Sequence, residues 1–125
     1  MEQYILENLD QALEQDHIKV YVQPVVRTLT RQYCGMEALA RWDDPEHGLL
    51  LPGKFISVLE DHRRIHELDI YVLNKVCKTL KSMNRRLDVP VSVNLSRLDY
   101  ELCDIFENVE SAVRVNKVPR SSLCI

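Results

Sequence analysis

The sequence predicts an α/β fold whose strands pair mostly in parallel. Two segments, residues 18–26 and 32–42, alternate side chains with the period of a strand. Other stretches repeat their apolar residues at helical spacing, most clearly over 65–82. Strands and helices then take turns to the last residue, the order from which parallel sheets are built.

Taken in order, residues 2–15 place Ile5, Leu6, Leu9, Ala12 and Leu13 on one face of an amphipathic helix. Residues 1–16 are therefore assigned to a leading helix suited to linking domains. In the first strand Ile18, Val20 and Val22 point one way and Lys19, Tyr21 and Gln23 the other, and Pro24 marks its end or an edge position. The short link to the second strand permits an antiparallel pair there, because a parallel crossover needs about a dozen residues or more. Asp44-Pro45 and His47-Gly48 are turn signals, and Asp43, Asp44, Glu46 and His47 read together as a solvated acidic turn.

Pro52 suits the first turn of a helix carrying Phe55, Ile56 and Leu59. Ile65, Leu68, Val72, Leu73, Val76 and Leu80 trace one face of the longest helix, with Cys77 a small core residue. Arg85 and Arg86 follow it, placed to meet its C-terminal carbonyls. Residues 89–95 read as a buried strand, 99–116 as a helix and 122–125 as the start of another strand. A domain ending on an unpaired apolar strand is expected to be incomplete, or to find that strand's partner elsewhere.

The bulk numbers exclude several classes of function. A chain of 125 residues, 46% apolar and 28% charged, suffices for one domain with a real core. A net charge of −3 gives no general attraction to nucleic acid or anionic membrane. The chain has no apolar run long enough to span a bilayer and no signal-peptide pattern at Met1. Cys34, Cys77, Cys103 and Cys124 show no Cys-x-x-Cys spacing, so a zinc knuckle or disulfide framework is not expected, and the compartment reads as reducing and cytoplasmic.

Candidate chemistry lies on the second strand. Tyr33, Gly35, Glu37, Leu39 and Arg41 share one face, and Cys34, Met36, Ala38, Ala40 and Trp42 share the apolar other. Glu37 and Arg41 are either the wet side of an ordinary amphipathic strand or a site, the carboxylate for a cation and the guanidinium for an anionic oxygen. Asn94 ends a buried strand and must satisfy its amide, by hydrogen bonding or by lending its carbonyl to a hard metal. Asn94-Leu95-Ser96 also leads into a helix that Ser96 or Asp99 can cap. His62 and His66 are four apart, but the intervening Arg63 and Arg64 repel a cation, which favours a solvated helix end over a zinc site.

The residues also carry a resemblance. Tyr21-Val22-Gln23-Pro24, Met36-Glu37-Ala38-Leu39-Ala40-Arg41-Trp42, Pro45-Glu46-His47-Gly48, Leu51-Pro52-Gly53-Lys54-Phe55-Ile56 and Val91-Ser92-Val93-Asn94-Leu95-Ser96 resemble the EAL family, in its order and at its spacing. That resemblance implies a modified TIM-like (β/α) barrel with one early antiparallel strand, of which residues 17–125 supply the N-terminal half, since such a barrel takes about 250 residues. It implies hydrolysis of cyclic di-GMP to the linear dinucleotide with Mg2+ or Mn2+. Glu37 and Asn94 are similar to the family's metal ligands. Arg41 matches its phosphate-holding arginine, and Gln23, Leu39 and Pro52 match positions lining the dinucleotide.

The remaining ligands and the catalytic lysine would lie past Ile125. The chain alone is therefore expected to bind metal weakly, to be inactive and to self-associate through exposed barrel edges. An upstream sensory or GGDEF-type domain is an expected neighbour. A domain that binds cyclic di-GMP without turnover, or serves as an interaction module, is the alternative. Two departures stand out: Ala40 replaces a bulkier residue, and Glu60-Asp61-His62-Arg63-Arg64-Ile65 lacks the glycine of the usual Glu-Glu-x-Gly-Leu-Ile, which puts that loop's geometry in question.

Overall fold

The structure, a computed structural model, describes residues 1–26, 33–83 and 90–125. Its elements run α1 (Glu2–Glu14), β1 (Ile18–Val26), β2 (Tyr33–Asp44), β3 (Gly48–Leu50), α2 (Pro52–Asp61), α3 (Ile65–Met83), β4 (Val91–Ser92), α4 (Asp99–Leu102), α5 (Ile105–Asn116), a 3-10 turn (Arg120–Ser122) and β5 (Leu123–Cys124). The sheet has the order β1-β2-β4-β5, with β3 also paired to β2. β1 and β2 are antiparallel, and β2–β4 and β4–β5 are parallel. This is the α/β barrel arrangement with an early antiparallel strand, present as an open sheet. No helix among the described residues is long and apolar enough to cross a membrane.

Helices cover one side of the sheet. Ile5, Leu9 and Ala12 of α1, Phe55 and Leu59 of α2, and the stripe from Ile65 to Cys77 on α3 are buried against Ile18, Ala38, Trp42, Val91, Val93 and Leu123. Those strand residues are the alternate positions of their strands, so the pleat sends the intervening residues to the opposite face. The Trp42 and Phe55 rings meet edge to face, 5.7 Å between centroids, and pin β2 to α2. Gly35, at φ +148°, lets the next strand come close: a Cβ there would stand 2.9 Å from the Pro90 carbonyl oxygen. Met36 N–H donates to that same oxygen at 3.0 Å and begins the β2–β4 pairing.

Several expectations need correction. The strand expected over 89–95 pairs only at Val91–Ser92, followed by a single bond from Val93 N–H to the Cys124 carbonyl. The helix expected over 99–116 is two, because Asp104 starts a new one by accepting from Glu107 N–H at 3.2 Å. Ser122 belongs to the 3-10 turn, not to the final strand, and β3 was not anticipated. The turn at 45–47 is present, but Asp44 is not solvated. It is buried and accepts from Tyr4 Oη at 2.6 Å and from the N–H groups of Glu46 and His47. Residues Arg85 and Arg86 lie outside the described residues.

The departure at 60–65 resolves plainly. Arg63 takes the left-handed conformation, φ 56°, in the place where the family carries glycine. Arg63 N–H bonds the Glu60 carbonyl and Arg64 N–H the Leu59 carbonyl, which closes α2 with a Schellman motif. The loop geometry survives, held by an L-residue at a conformational cost.

Candidate functional site

The open face of the sheet carries the candidate residues. β2 lies between β1 and β4, so each of its residues has a neighbour on both sides. Glu37 stands opposite Gln23 of β1 and opposite Ser92 of β4. Leu39 faces Tyr21, and Arg41 faces Lys19. Ser92 in turn pairs with Cys124. Four strands thus bring Gln23, Glu37, Ser92 and Cys124 into one row across the sheet, with Leu39 and Arg41 further along β2.

Asn94 joins this row from the end of β4. Its Nδ2 donates to Glu37 Oε1 at 3.1 Å, across 57 residues of chain. Of the two ways open for Asn94 to satisfy its amide, the contact is the hydrogen bond. Ser96 and Asp99 do not cap the helix as expected, since the N-cap of α4 is Leu98 with no side-chain cap; instead Leu98 N–H donates to Ser96 Oγ at 3.3 Å and Ser96 N–H to Asp99 Oδ2 at 3.0 Å.

The pair fits a hard cation. An octahedral ion with bonds of about 2.1 Å holds neighbouring oxygens about 3.0 Å apart. Asn94 Nδ2 and Glu37 Oε1 are 3.1 Å apart as a hydrogen bond, and a half-turn of the amide turns its Oδ1 toward the same side as the carboxylate. Among the described residues no group of three or more His, Cys, Asp and Glu side chains is gathered to hold a metal. Glu37 and Asn94 are two oxygen-bearing groups that could hold such an ion only together with further ligands.

Arg41 occupies the far end. Four strand steps separate it from Glu37, about 13 Å at the usual rise, too far for both to hold one atom. Its guanidinium carbon lies 5.1 Å from the centroid of the Tyr21 ring, a cation–π contact. Tyr21 is 44% exposed and was not singled out in the sequence; the available signal was its place on the same face as Gln23. The arrangement is an elongated one, carboxylate and amide at one end and guanidinium at the other. It suits a ligand whose anionic groups are spaced apart.

Pro52 stands differently. It is the first residue of α2, reached from β3, whose Leu50 pairs with Trp42. Among the described residues no hydrogen bond or stacking contact links it to the row. The histidine pair is separated too: His62 caps α2 and bonds Glu2 Oε1 at 2.6 Å, and His66 lies on α3.

Comparison with known proteins gives the same picture. The profile of the EAL domain matches residues 6–125. The bifunctional diguanylate cyclase/cyclic di-GMP phosphodiesterase MucR of Pseudomonas aeruginosa is 30% identical over 123 residues, 97% of this chain and 18% of MucR. The cyclic di-GMP phosphodiesterase NbdA of the same organism is 36% identical over 96 residues, 74% of this chain and 12% of NbdA. A solved structure of the MucR phosphodiesterase in complex with c-di-GMP superposes with a TM-score of 0.84 at 30% identity, covering 96% of this chain and 49% of that one. This chain thus spans about half of that solved domain and less than a fifth of either full-length relative. By sequence and by fold, it belongs to the EAL domain family.

Proposed function

We propose that this chain forms the metal- and phosphate-binding half of a cyclic di-GMP phosphodiesterase domain. The observation that carries the reading is the Asn94–Glu37 contact at the middle of the strand ladder. Two oxygen-bearing groups meet there, of the kind a hard divalent ion takes, Mg2+ or Mn2+. When bound, such an ion activates water and stabilises charge on the phosphoryl group. The chain's own residues hold and orient. Arg41, in contact with Tyr21, grips a phosphate oxygen with its fork. Gln23 and Leu39 would line the floor of the dinucleotide site beside Glu37, and Pro52, at the start of α2, would reach its border only from outside the row.

In the parent protein the domain would hydrolyse cyclic di-GMP to the linear dinucleotide, beside a sensory or a GGDEF-type domain; MucR's name pairs the phosphodiesterase with a diguanylate cyclase. The chain by itself would bind weakly and turn over little. Its β1 and β5 edges, unpaired among the described residues, would promote self-association, which light scattering reads directly. A second reading, a receptor that binds without turnover, uses the same residues, and the Tyr21–Arg41 stack serves binding in either case.

The deciding experiment is calorimetric titration of the chain with cyclic di-GMP, with and without Mg2+. Glu37→Gln should remove the Mg2+-dependent part of the affinity, and Arg41→Ala should weaken binding tenfold or more. Equal affinity in all three proteins would sink the proposal. Product formation by the full-length parent then separates enzyme from receptor.

A further inference from the structure

Three helices converge on one residue, two positions past Asn94. Ser96 N–H donates to Asp69 Oδ2 on α3 at 3.1 Å and to Asp99 Oδ2 on α4 at 3.0 Å. Ser96 Oγ donates to Glu60 Oε2 on α2 at 2.9 Å. Asp99 is 0% exposed and Asp69 8%. Two carboxylates sharing one donor, so far from water, cannot both stay ionised. Both Oδ2 atoms lie within 3.1 Å of the one Ser96 nitrogen, which sets the two carboxyl groups beside each other. Burial first, then the neighbouring Asp99 carboxyl, push the Asp69 carboxyl up to about 9. Among the described residues Asp99 Oδ1 has no hydrogen-bond donor, a buried acceptor left unsatisfied beside a second carboxyl.

The neighbouring charged groups do not neutralise the pair. Glu60 adds a further negative charge. Arg63, in the turn after α2, pairs with Glu101 of α4 at 3.5 Å. Arg64 is taken by Glu67 and Asp10, at 2.7 and 2.9 Å. His66 sits one turn before Asp69 on α3, its Nδ1 buried. Cys103, at the end of α4, donates its thiol to the Asp99 carbonyl rather than to the carboxyl.

We propose that Asp69 and Asp99 hold one proton between them and, through the Ser96 N–H that both accept, fix the Asn94–Ser96 segment, so that loss of the proton loosens Asn94 from Glu37. They are positioning residues, and their consequence for function rests on the reading of Glu37 and Asn94 as metal ligands. The proton enters from solvent as the chain folds and returns to solvent as pH rises. Because the folded-state value of Asp69 lies above its ordinary 3.8, the stabilising contribution is complete below about pH 4 and is lost as pH rises through about 9.

The test follows the Ser96 amide and the Asn94 side-chain amide of this chain by NMR from about pH 5 to about pH 10, beside urea unfolding over the same range. Neither metal nor dinucleotide is present. Both amides should shift in one shared titration, and the proton bound on folding should lower the folding constant about tenfold per pH unit within that window. Asp99→Asn keeps the side chain's shape but removes the shared proton, and Asp69→Asn does so from the other side. Each variant should flatten both amide titrations and reduce the unfolding slope by one proton. Amides that stay unmoved in the native chain, or that titrate unchanged in either variant, overturn the proposal. Failure of the metal reading shows elsewhere: Mn2+ broadening of the Asn94 signal that persists in Glu37→Gln at fixed pH.

Discussion

The two faces of this sheet share one backbone ladder and little else. On the covered face Ile18, Ala38, Trp42, Val91, Val93 and Leu123 are buried under helices. On the open face Tyr21, Gln23, Arg41, Asn94 and Cys124 are exposed, and Glu37 and Leu39 are half-buried. Neighbours in the chain thus have separate places: Trp42 anchors β2, and Arg41, one residue earlier, is left out of the packing on the open face. The covered face supplies the rigidity, and the open face uses it to place Glu37 between Gln23, Ser92 and Asn94. Such a division lets side chains of the site vary without endangering the fold.

The largest effect that can test this division is at Trp42. Trp42→Ala should cost about 3–5 kcal/mol in urea unfolding, since a fully buried ring is deleted from the core. Next comes Asp44, at the end of the same strand. Its truncation to Ala leaves the N–H groups of Glu46 and His47 without their acceptor and should cost about 1–3 kcal/mol. Burial raises the Asp44 carboxyl, but hydrogen bonds from Tyr4, His47 and Glu46 outweigh it and hold it below its ordinary 3.8. The stability it confers is therefore present above about pH 4 and lost as pH falls further, a loss that Asp44→Ala should abolish in acid unfolding curves. The slope is opposite in sign to that expected from Asp69.

Arg63→Gly should stabilise the chain by about 0.5–1 kcal/mol, because glycine takes the left-handed conformation without strain, less whatever the exposed pair with Glu101 contributes. A loss of stability there would show that the Glu101 pair outweighs the strain. The smallest effect belongs to the open face: Glu37→Gln and Arg41→Ala should each change unfolding by about 0.5 kcal/mol or less, while ligand binding falls. A large stability loss from either would break the division between the faces.

Much of this was legible in the sequence. Alternation over 32–42 separates Glu37, Leu39 and Arg41 from Ala38 and Trp42 correctly, because a buried sheet face imposes a strict period of two. The stripe from Ile65 to Val76 is equally plain. What stayed hidden depends on distance along the chain. Two of the donors to Asp44, the N–H groups of Glu46 and His47, are local, but Tyr4, whose hydroxyl completes the set, lies 40 residues away. The contact of Asn94 with Glu37 needed the parallel pairing of β2 with β4, which no local pattern reports. Two signals were present and unused: Asp104 followed by Glu107 marks a helix start inside 99–116, and Asp69 is a carboxylate inside the buried arc of α3.

The leading helix closes the account in mechanical terms. Tyr4 ties α1 to the end of β2, the Leu6 carbonyl accepts from Arg64 at the α2–α3 joint, and Asp16, just past the helix, meets Tyr71 and Lys75 of α3. These fastenings make α1 a splint rather than a hinge. Torque applied at its first turn passes through Tyr4 into the strand that bears Glu37, and through Arg64 into the joint between two helices, without first bending the chain between α1 and β1.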